Sequence, residues 1–193
     1  MAAGVPVETG SDRADRTLWE SASAGDEAAF TELFERHAQA VWNHAYRLTG
    51  SWASAEDLTS NTFLIAWRKR AGFQLVRESA LPWLYTVAGN LARTEYRGAR
   101  RRLRLLKKTP EPPVVPDHAD KVAEQLDGEQ RLRQVIDAVR SLPKSQRQVV
   151  ELCLLGDLPI ADAAALLDVA EVTVRAHISR ARAQLRALLQ EEK

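Results

Sequence analysis

The sequence has one cysteine, one methionine and no long apolar run among its 193 residues. Cys153 has no second cysteine with which to form an internal disulfide or to build a zinc site, so we interpret it as a core residue. No segment approaches the roughly 18 uninterrupted apolar residues that a membrane-spanning helix needs. The N-terminus also lacks the basic start and apolar centre of a signal peptide. We therefore expect a cytoplasmic protein without direct membrane insertion.

Signatures of catalysis are missing as well. The four histidines are scattered over the chain, and the sequence contains neither a Gly-rich phosphate-binding loop nor a nucleophile elbow. His37 and His44 fall on one helical face, but the sequence suggests no further ligands beside them. We therefore predict no enzyme, no catalytic residue, no metal site, no cofactor and no small-molecule substrate.

Strand-like alternation is absent, because the apolar residues recur at spacings of three and four rather than two. This pattern predicts an all-α protein. One helix covers Phe30 to Leu48 and is closed by Gly50; a second starts at a capping box formed by Ser54 and Asp57. A third starts near Pro82, which suits a first helical turn.

A proline-rich segment divides the chain into two helical domains. Residues 109–119 hold four prolines in eleven positions, which predicts an extended linker. The predicted parts are a disordered N-terminal tail, a first helical domain, a flexible acidic linker, and a second helical domain with a helix-turn-helix; in order they cover residues 1–24, 25–108, 109–122 and 123–193.

Charge is strongly uneven although the net charge is only +1. Residues 93–108 contain eight basic residues and one acid, whereas residues 111–130 contain six acids and one lysine. A helical stripe leads into the basic block from Trp83 through Asn90. An aromatic ring, an amide and a row of cations are the groups that bind single-stranded DNA, although Trp83 also fits a core position.

The end of the chain predicts a helix-turn-helix. Ile160, Ala164 and Leu167 would pack the first helix, Val169 would fill the turn, and Asp168 would take the left-handed position there. The second helix has an apolar face and a face of donors. Arg175 and His177 are candidates for reading base edges in a DNA major groove, and the later arginines are candidates for phosphate contacts.

Three blocks of the chain together resemble a known family. They are AEDLTSNTFLIAWRKR, LPWLYTVAGNLARTEYRGARRR and LPKSQRQVVELCLLGDLPIADAAALLDVAEVTVRAHISRARAQLR. From about residue 27 to 189 the chain resembles a sigma factor of the extracytoplasmic-function (ECF) group of the sigma-70 family. The resemblance implies a bacterial transcription initiation factor that binds core RNA polymerase and promoter DNA, duplex and single-stranded, and that an anti-sigma factor holds inactive.

The resemblance also implies roles for individual residues. Those implied in docking on core polymerase are Asp57, Leu58, Phe63 and Trp67, where core packing is the alternative for Leu58 and Phe63. Those implied in melting and holding the minus-10 element are Trp83, Asn90, Arg93, Arg97, Arg100 and Arg101. Those implied in recognising the minus-35 element are Thr173, Arg175, Ala176, His177, Ser179, Arg180 and Arg182. The acidic linker would thread the RNA exit path or serve only to solubilise the chain.

The chain departs from the family pattern at two places, and one other function fits part of it. Ser60-Asn61 replaces a frequent Gln-Glu pair in the docking helix, and Val172 replaces a frequent glycine in the recognition helix. The alternative function is an autonomous helix-turn-helix transcription regulator. Such a regulator would bind promoter duplex by itself, whereas a sigma factor requires core polymerase.

Overall fold

The computed structural model describes residues 13–106 and 121–190, and every regular element within these ranges is helical. The elements are α1 (Asp15–Ser23), α2 (Glu27–Thr49), α3 (Trp52–Lys69), a 3-10 turn (Arg70–Gly72), α4 (Leu81–Leu106), α5 (Lys121–Ser141), α6 (Lys144–Val149), a π-helical turn (Val150–Leu154), α7 (Ile160–Leu167) and α8 (Glu171–Gln190). Helices α1–α4 form the N-terminal domain and α5–α8 form the C-terminal domain. The predicted all-α fold with two helical domains is confirmed. Within the described ranges, no helix has the length and apolar content to cross a bilayer.

Helix α1 corrects the prediction that residues 1–24 form a disordered tail. Leu18 and Trp19 are only 0% and 3% exposed, and the Trp19 Nε1–H donates to the Phe73 carbonyl at 2.8 Å. The buried Asp15 carboxylate accepts hydrogen bonds from His37 Nε2 at 2.6 Å and from the Ala80 amide at 2.8 Å. The tail prediction for residues 1–12 lies outside the described residues.

The ionisation of Asp15 is tied to these contacts. Burial acts to raise the pKa of the Asp15 carboxyl, but the hydrogen bonds from His37 and the Ala80 amide outweigh burial and hold the pKa well below its usual range. The charged form of Asp15 thus fastens α1 to α2 and to the segment that precedes α4.

Two helix ends in the N-terminal domain can be compared with the predicted helix boundaries. Gly50 has φ 67° at the end of α2, as its position after the apolar stripe predicted. The predicted start of the second helix is wrong by one turn, because α3 begins at Trp52. Its N-cap is Ser51, whose hydroxyl accepts from the Ser54 amide at 3.3 Å.

The C-terminal domain begins inside the predicted linker, because Lys121 already belongs to α5. The rest of that linker lies outside the described residues. Helix α6 is followed by one π-helical turn, in which the Leu155 amide donates to the Val150 carbonyl at 3.0 Å. Cys153 is half-buried against the core, and burial raises the pKa of its thiol.

The two domains pack against each other. One cluster of buried side chains runs from Leu84 and Ala88 of α4 to Leu152, Leu158 and Ala163 of the C-terminal domain. At the centre of this contact Tyr85 lies against Gly156, where an added Cβ would come within 2.8 Å of the tyrosine ring. Because the backbone approaches the ring this closely, Gly156 leaves no room for a side chain.

His44 lies next to this interface and stacks on Tyr85 with ring centroids 4.2 Å apart. It is 1% exposed, and neither ring nitrogen makes a hydrogen bond with a described residue. Burial lowers the pKa of His44 to about 4; the nearby backbone of Leu155 acts in the opposite direction but does not reverse the shift. The neutral imidazole is therefore the form that the fold accepts.

We expect the protein to lose stability in mild acid through His44. The unfolded chain binds this proton at a pKa near 6.5 and the folded chain only near 4, so the free energy of unfolding falls as the pH drops from about 6.5 to about 4. The loss is up to about 3 kcal/mol. Urea denaturation at several pH values checks this, with His44→Phe as the comparison because it keeps the stacking but does not titrate. An identical pH dependence in the two proteins would contradict the assignment.

Candidate nucleic-acid interface

The predicted helix-turn-helix is formed by α7 and α8. Asp168 lies in the left-handed region (φ 53°, ψ 50°), and the amides of Asp168 and Val169 both donate to the Ala164 carbonyl. Val174 and Ala181 are completely buried on the inner face of α8. The turn therefore forms without glycine, because aspartate tolerates the left-handed conformation better than most residues.

The outer face of α8 presents a row of donors. The exposed arginine and serine side chains are Arg175, Ser179, Arg180, Arg182 and Arg186. Arg175 is 59% exposed and pairs with Glu171 at 2.7 Å within the same helix. Thr173, Ala176 and His177 are only partly exposed, and the Nδ1 atom of His177 is buried. Val169, which was expected to fill the turn, is 39% exposed and does not do so.

On α4 the predicted DNA-binding stripe changes its environment along the helix. Asn90 is exposed, and its Oδ1 atom accepts a hydrogen bond from Arg93. Arg93 is only 18% exposed, because its guanidinium also binds the Glu151 carboxylate of the C-terminal domain at 2.5 Å. Burial raises the pKa of Glu151, although the charges of Arg93 and Arg147 act against that rise. Asn90 and Arg93 are thus held together at the domain boundary.

Farther along α4 the basic residues face solvent. Arg97 and Arg101 are exposed and make no hydrogen bond or ion pair with another described residue. They border a cleft of about 840 Å³ between α4 and the pair α5 and α6, whose opposite wall contains Leu132, Val135 and Ile136. Arg100 belongs to α4, but its side chain lies outside the described part of the chain.

Trp83 belongs to an aromatic cluster at the start of α4. Its ring stacks on Phe73 at a centroid distance of 4.8 Å and meets the edge of Trp19 at 5.3 Å. The side chain remains partly exposed. Trp83 therefore contributes one part of its ring to the core and keeps another part at the surface.

The residues predicted to dock on polymerase separate into two groups. Leu58 and Phe63 are 0% and 5% exposed and pack inside the N-terminal domain, so of the two alternatives for these residues the structure supports core packing and not a surface role. The helical period of α3 places them on its inner face together with Ala55 and Ala66. Asp57 is exposed and Trp67 is partly exposed. Leu64 on the same helix is a large apolar residue that was not predicted to lie at the surface, and it is 43% exposed.

Two arginines of the N-terminal domain that lie at the domain boundary were not singled out from the sequence. Arg47 of α2 donates to the Leu155 carbonyl and pairs with Asp157, both at 2.8 Å. Arg77, in the segment before α4, donates to the Ala161 carbonyl at 2.9 Å. Nothing in their local sequence distinguishes these arginines, because their partners lie far away along the chain.

Both domains match family models. Residues 33–102 match sigma-70 region 2, and residues 132–185 match sigma-70 region 4. The chain belongs to the sigma-70 family, in its ECF group. The ECF RNA polymerase sigma factor SigL of Mycobacterium tuberculosis is 33% identical over 172 residues, which cover 88% of this chain and 94% of SigL. The N-terminal domain is therefore sigma region 2 and the C-terminal domain is sigma region 4.

Solved structures share this fold. A complex of CnrH with the cytosolic domain of CnrY superposes with a TM-score of 0.63 at 25% identity, covering 94% of this chain and all of the matched chain. The sigma factor RpoE of Bartonella quintana, in complex with the anti-sigma factor NepR, superposes with a TM-score of 0.52 at 26% identity. That match covers 85% of this chain and 98% of the RpoE chain.

Proposed function

We propose that this sigma factor binds core RNA polymerase, directs it to promoters through α8, and opens the minus-10 element with α4. One observation carries the proposal: a helix-turn-helix with an exposed row of donors and a second helix with an amide and cations occur in the same chain. Duplex recognition needs the first surface, and strand capture needs the second. The protein acts as a non-enzymatic initiation factor in the cytoplasm, where polymerase and promoters meet.

For the minus-35 element we propose that the N-terminal half of α8 enters the major groove. Arg175 is exposed and pairs with Glu171, and it can exchange this exposed ion pair for a base contact. The proposed contact set is Thr173, Arg175, Ala176, His177, Ser179, Arg180 and Arg182. His177 is half-buried, so its role includes supporting the helix as well as facing DNA.

We expect Arg175→Ala to weaken minus-35 binding selectively. A bidentate arginine–guanine contact contributes about 1 to 3 kcal/mol of discrimination, so the holoenzyme should lose its preference at one base pair. Competition between duplexes that differ at single positions measures this. Arg186→Ala, nearer the end of α8, is the matched control and should weaken all duplexes equally. If Arg175→Ala weakened binding to all duplexes equally, Arg175 would contact phosphate and not a base.

For the minus-10 element we propose that Asn90 reads an unstacked base and that Trp83 stacks on one. The exposed part of the Trp83 ring and the exposed Asn90 amide lie on the same helix, two turns apart. Arg93, Arg97, Arg100 and Arg101 would follow the phosphates of the same strand. This order places a stacking surface and an amide beside a row of cations, which is the combination that single-stranded DNA binding needs.

For core polymerase we propose a surface on α3 made by Asp57, Leu64 and Trp67. An exposed leucine beside a partly exposed tryptophan is the composition expected at the centre of a protein interface, and Asp57 supplies charge at its rim. We further propose an anti-sigma factor as a regulatory partner, because the matched RpoE chain is in complex with one.

Reconstitution tests the proposed function. Core polymerase supplied with promoter fragments should yield transcripts with defined starts only when this protein is added. Gel filtration should show that the two co-elute. Co-elution without defined transcripts would leave the polymerase contact standing and contradict the promoter function.

A further inference from the structure

The cleft between α4 and the pair α5 and α6 combines a cationic wall with an aliphatic one. Its volume is about 840 Å³, within the roughly 300 to 1,000 Å³ that is typical of small-molecule sites. Residues of both domains line it, and several of their side chains are open to solvent. The chemistry of the two walls therefore indicates which class of ligand fits between them.

The cationic side of the cleft is formed by arginines. The lining arginines are Arg47, Arg93, Arg97, Arg101, Arg140 and Arg147, and among the described residues one carboxylate, that of Glu151, lies beside them. Four of these arginines already pair with a carboxylate of Glu151, Asp157 or Asp137. Arg97 and Arg101 are exposed and make no hydrogen bond or ion pair with another described residue. Because they lie one turn apart on the same face of α4, both guanidinium groups can bind one anion.

The aliphatic side of the cleft is formed by α5. The side chains that line it from this helix are Leu132, Val135, Ile136 and Val139, whose spacing places them on one face. Val135 is 40% exposed, and Leu132 is partly exposed. This wall is packed against the end of α2, because an added Cβ on Gly50 would lie 2.9 Å from Ile136 Cδ1 and 3.3 Å from Leu132 Cδ2. An alkyl chain on the wall would remove apolar surface from water, which is favourable.

The cleft itself offers little to a nucleotide base. In its described lining one aromatic ring is present, that of Tyr96, and the Arg140 guanidinium lies 4.1 Å from the centre of that ring. Bases are held at single-strand sites mainly by stacking on aromatic rings. An inorganic anion, in turn, would leave the aliphatic wall in contact with water. The two walls together favour a ligand that carries both an anionic head and an alkyl chain.

We propose that the cleft binds one molecule of a single-chain lipid phosphate. The phosphate group accepts hydrogen bonds from Arg97 and Arg101, and the alkyl chain packs on the α5 wall at Leu132 and Val135. A phosphate monoester has three terminal oxygens, so it can accept charge-assisted hydrogen bonds from both guanidinium groups at once. A carboxylate has two oxygens, and we expect a fatty acid to bind more weakly than an alkyl phosphate of the same chain length.

Isothermal titration calorimetry of the full chain with octyl phosphate tests the proposal. Octanol, inorganic phosphate and octanoate are the comparison ligands, because each of them lacks one part of the proposed ligand. Octyl phosphate should bind with one molecule per chain and at least about tenfold more tightly than octanol or phosphate, since it alone uses both walls. Octanoate should bind with intermediate affinity.

Two results of the titrations would contradict the proposal. If octyl phosphate bound no more tightly than octanol or inorganic phosphate, the proposal of a site that uses both walls would be overturned. If octanoate bound as tightly as octyl phosphate, the assignment of a phosphate head would be overturned.

A double variant of the cationic wall locates the phosphate head. Arg97→Ala with Arg101→Ala should weaken octyl phosphate binding at least about tenfold, because two charge-assisted contacts are lost. Arg180→Ala with Arg186→Ala, on the exposed side of α8, is the charge-matched control and should bind octyl phosphate like the wild type. All four side chains are exposed, so both variants should fold. Equal affinities of the two double variants would overturn the placement of the head.

A variant of the aliphatic wall locates the alkyl chain. Val135→Ser should weaken octyl phosphate binding about fivefold, because the chain loses an apolar contact, and should leave the weak binding of inorganic phosphate unchanged. Val172→Ser is the matched control, since Val172 is 69% exposed on α8 and does not line the cleft. If the two serine variants bound octyl phosphate equally, the α5 wall would not hold the chain and the proposal would be overturned.

Failure of this proposal is distinguishable from failure of the proposed function. A protein that supports core-dependent transcription but does not bind octyl phosphate selectively has the proposed function without the lipid phosphate site. A protein that binds octyl phosphate with the expected dependence on both walls but supports no such transcription has the site without the proposed function.

Discussion

The Trp19→Ala variant is expected to lose about 3 to 5 kcal/mol of the free energy of unfolding, which is the usual cost of removing a buried tryptophan side chain. Trp19 is 3% exposed and meets the rings of Phe73 and Trp83 edge-on. Its Nε1–H is also the donor for the Phe73 carbonyl. The variant therefore loses the aromatic contacts, the hydrogen bond and the attachment of α1 to the segment before α4. Urea denaturation followed by circular dichroism measures the loss.

Trp52→Ala is the matched control for that experiment. Trp52 is 64% exposed, and its indole nitrogen donates to Glu56 on the same helix. Its removal should cost less than about 1 kcal/mol, as most exposed substitutions do. If Trp19→Ala lost as little unfolding free energy as Trp52→Ala, α1 would not belong to the folded core.

The combined variant Arg97→Ala with Arg101→Ala is expected to impair promoter opening on the order of tenfold to a hundredfold, because two phosphate contacts are lost. Both side chains are exposed and hold no described partner, so the fold should be unaffected. The salt dependence gives a sharper signature. Each phosphate contact on a single strand contributes about 0.7 to the slope of log affinity against log salt, so the slope should fall by about 1.4.

Lysine at the same two positions keeps the charge and serves as the control. The lysine variant should retain the wild-type salt slope and most of the opening rate, since phosphate attraction is largely a matter of charge. Permanganate reactivity of unpaired thymines measures opening in the holoenzyme. An unchanged slope in the alanine variant would show that these arginines do not contact the strand.

Local signals in the sequence were sufficient to predict most helices and the helix-turn-helix. The spacing of Val174, Ile178 and Ala181 places them on the buried side of α8, because a 3.6-residue period returns to the same face. The left-handed Asp168 followed from the need of a tight turn and from the tolerance of aspartate. These features depend on residues within one or two turns of each other.

Features that depend on tertiary contacts were missed or left open. Helix α1 is short and mostly polar in sequence, and it is stable only because Leu18 and Trp19 are covered by other helices. Leu58 and Phe63 could be assigned to the core or to a partner until their burial was known. An apolar stripe shows which residues share a face, but a single sequence does not show what covers that face.

The docking of the two domains was not predictable from the sequence. Arg93 and Glu151 are 58 positions apart, and Arg47 and Asp157 are 110 positions apart. Local periodicity carries no information about pairs at such separations. The basic stretch of α4 was predicted to bind nucleic acid, but the pairing of its Arg93 with Glu151 of the same chain became visible only in the folded protein.

Selection of active promoters from a randomised library tests the central claim most directly. Core polymerase with this protein should enrich sequences with two conserved blocks at a fixed spacing, one read as duplex and one as an opened strand. Core polymerase alone and the protein alone should enrich neither block. Enrichment of one duplex motif by the protein alone, with no second block and no effect of polymerase, would contradict the account and identify an autonomous DNA-binding regulator.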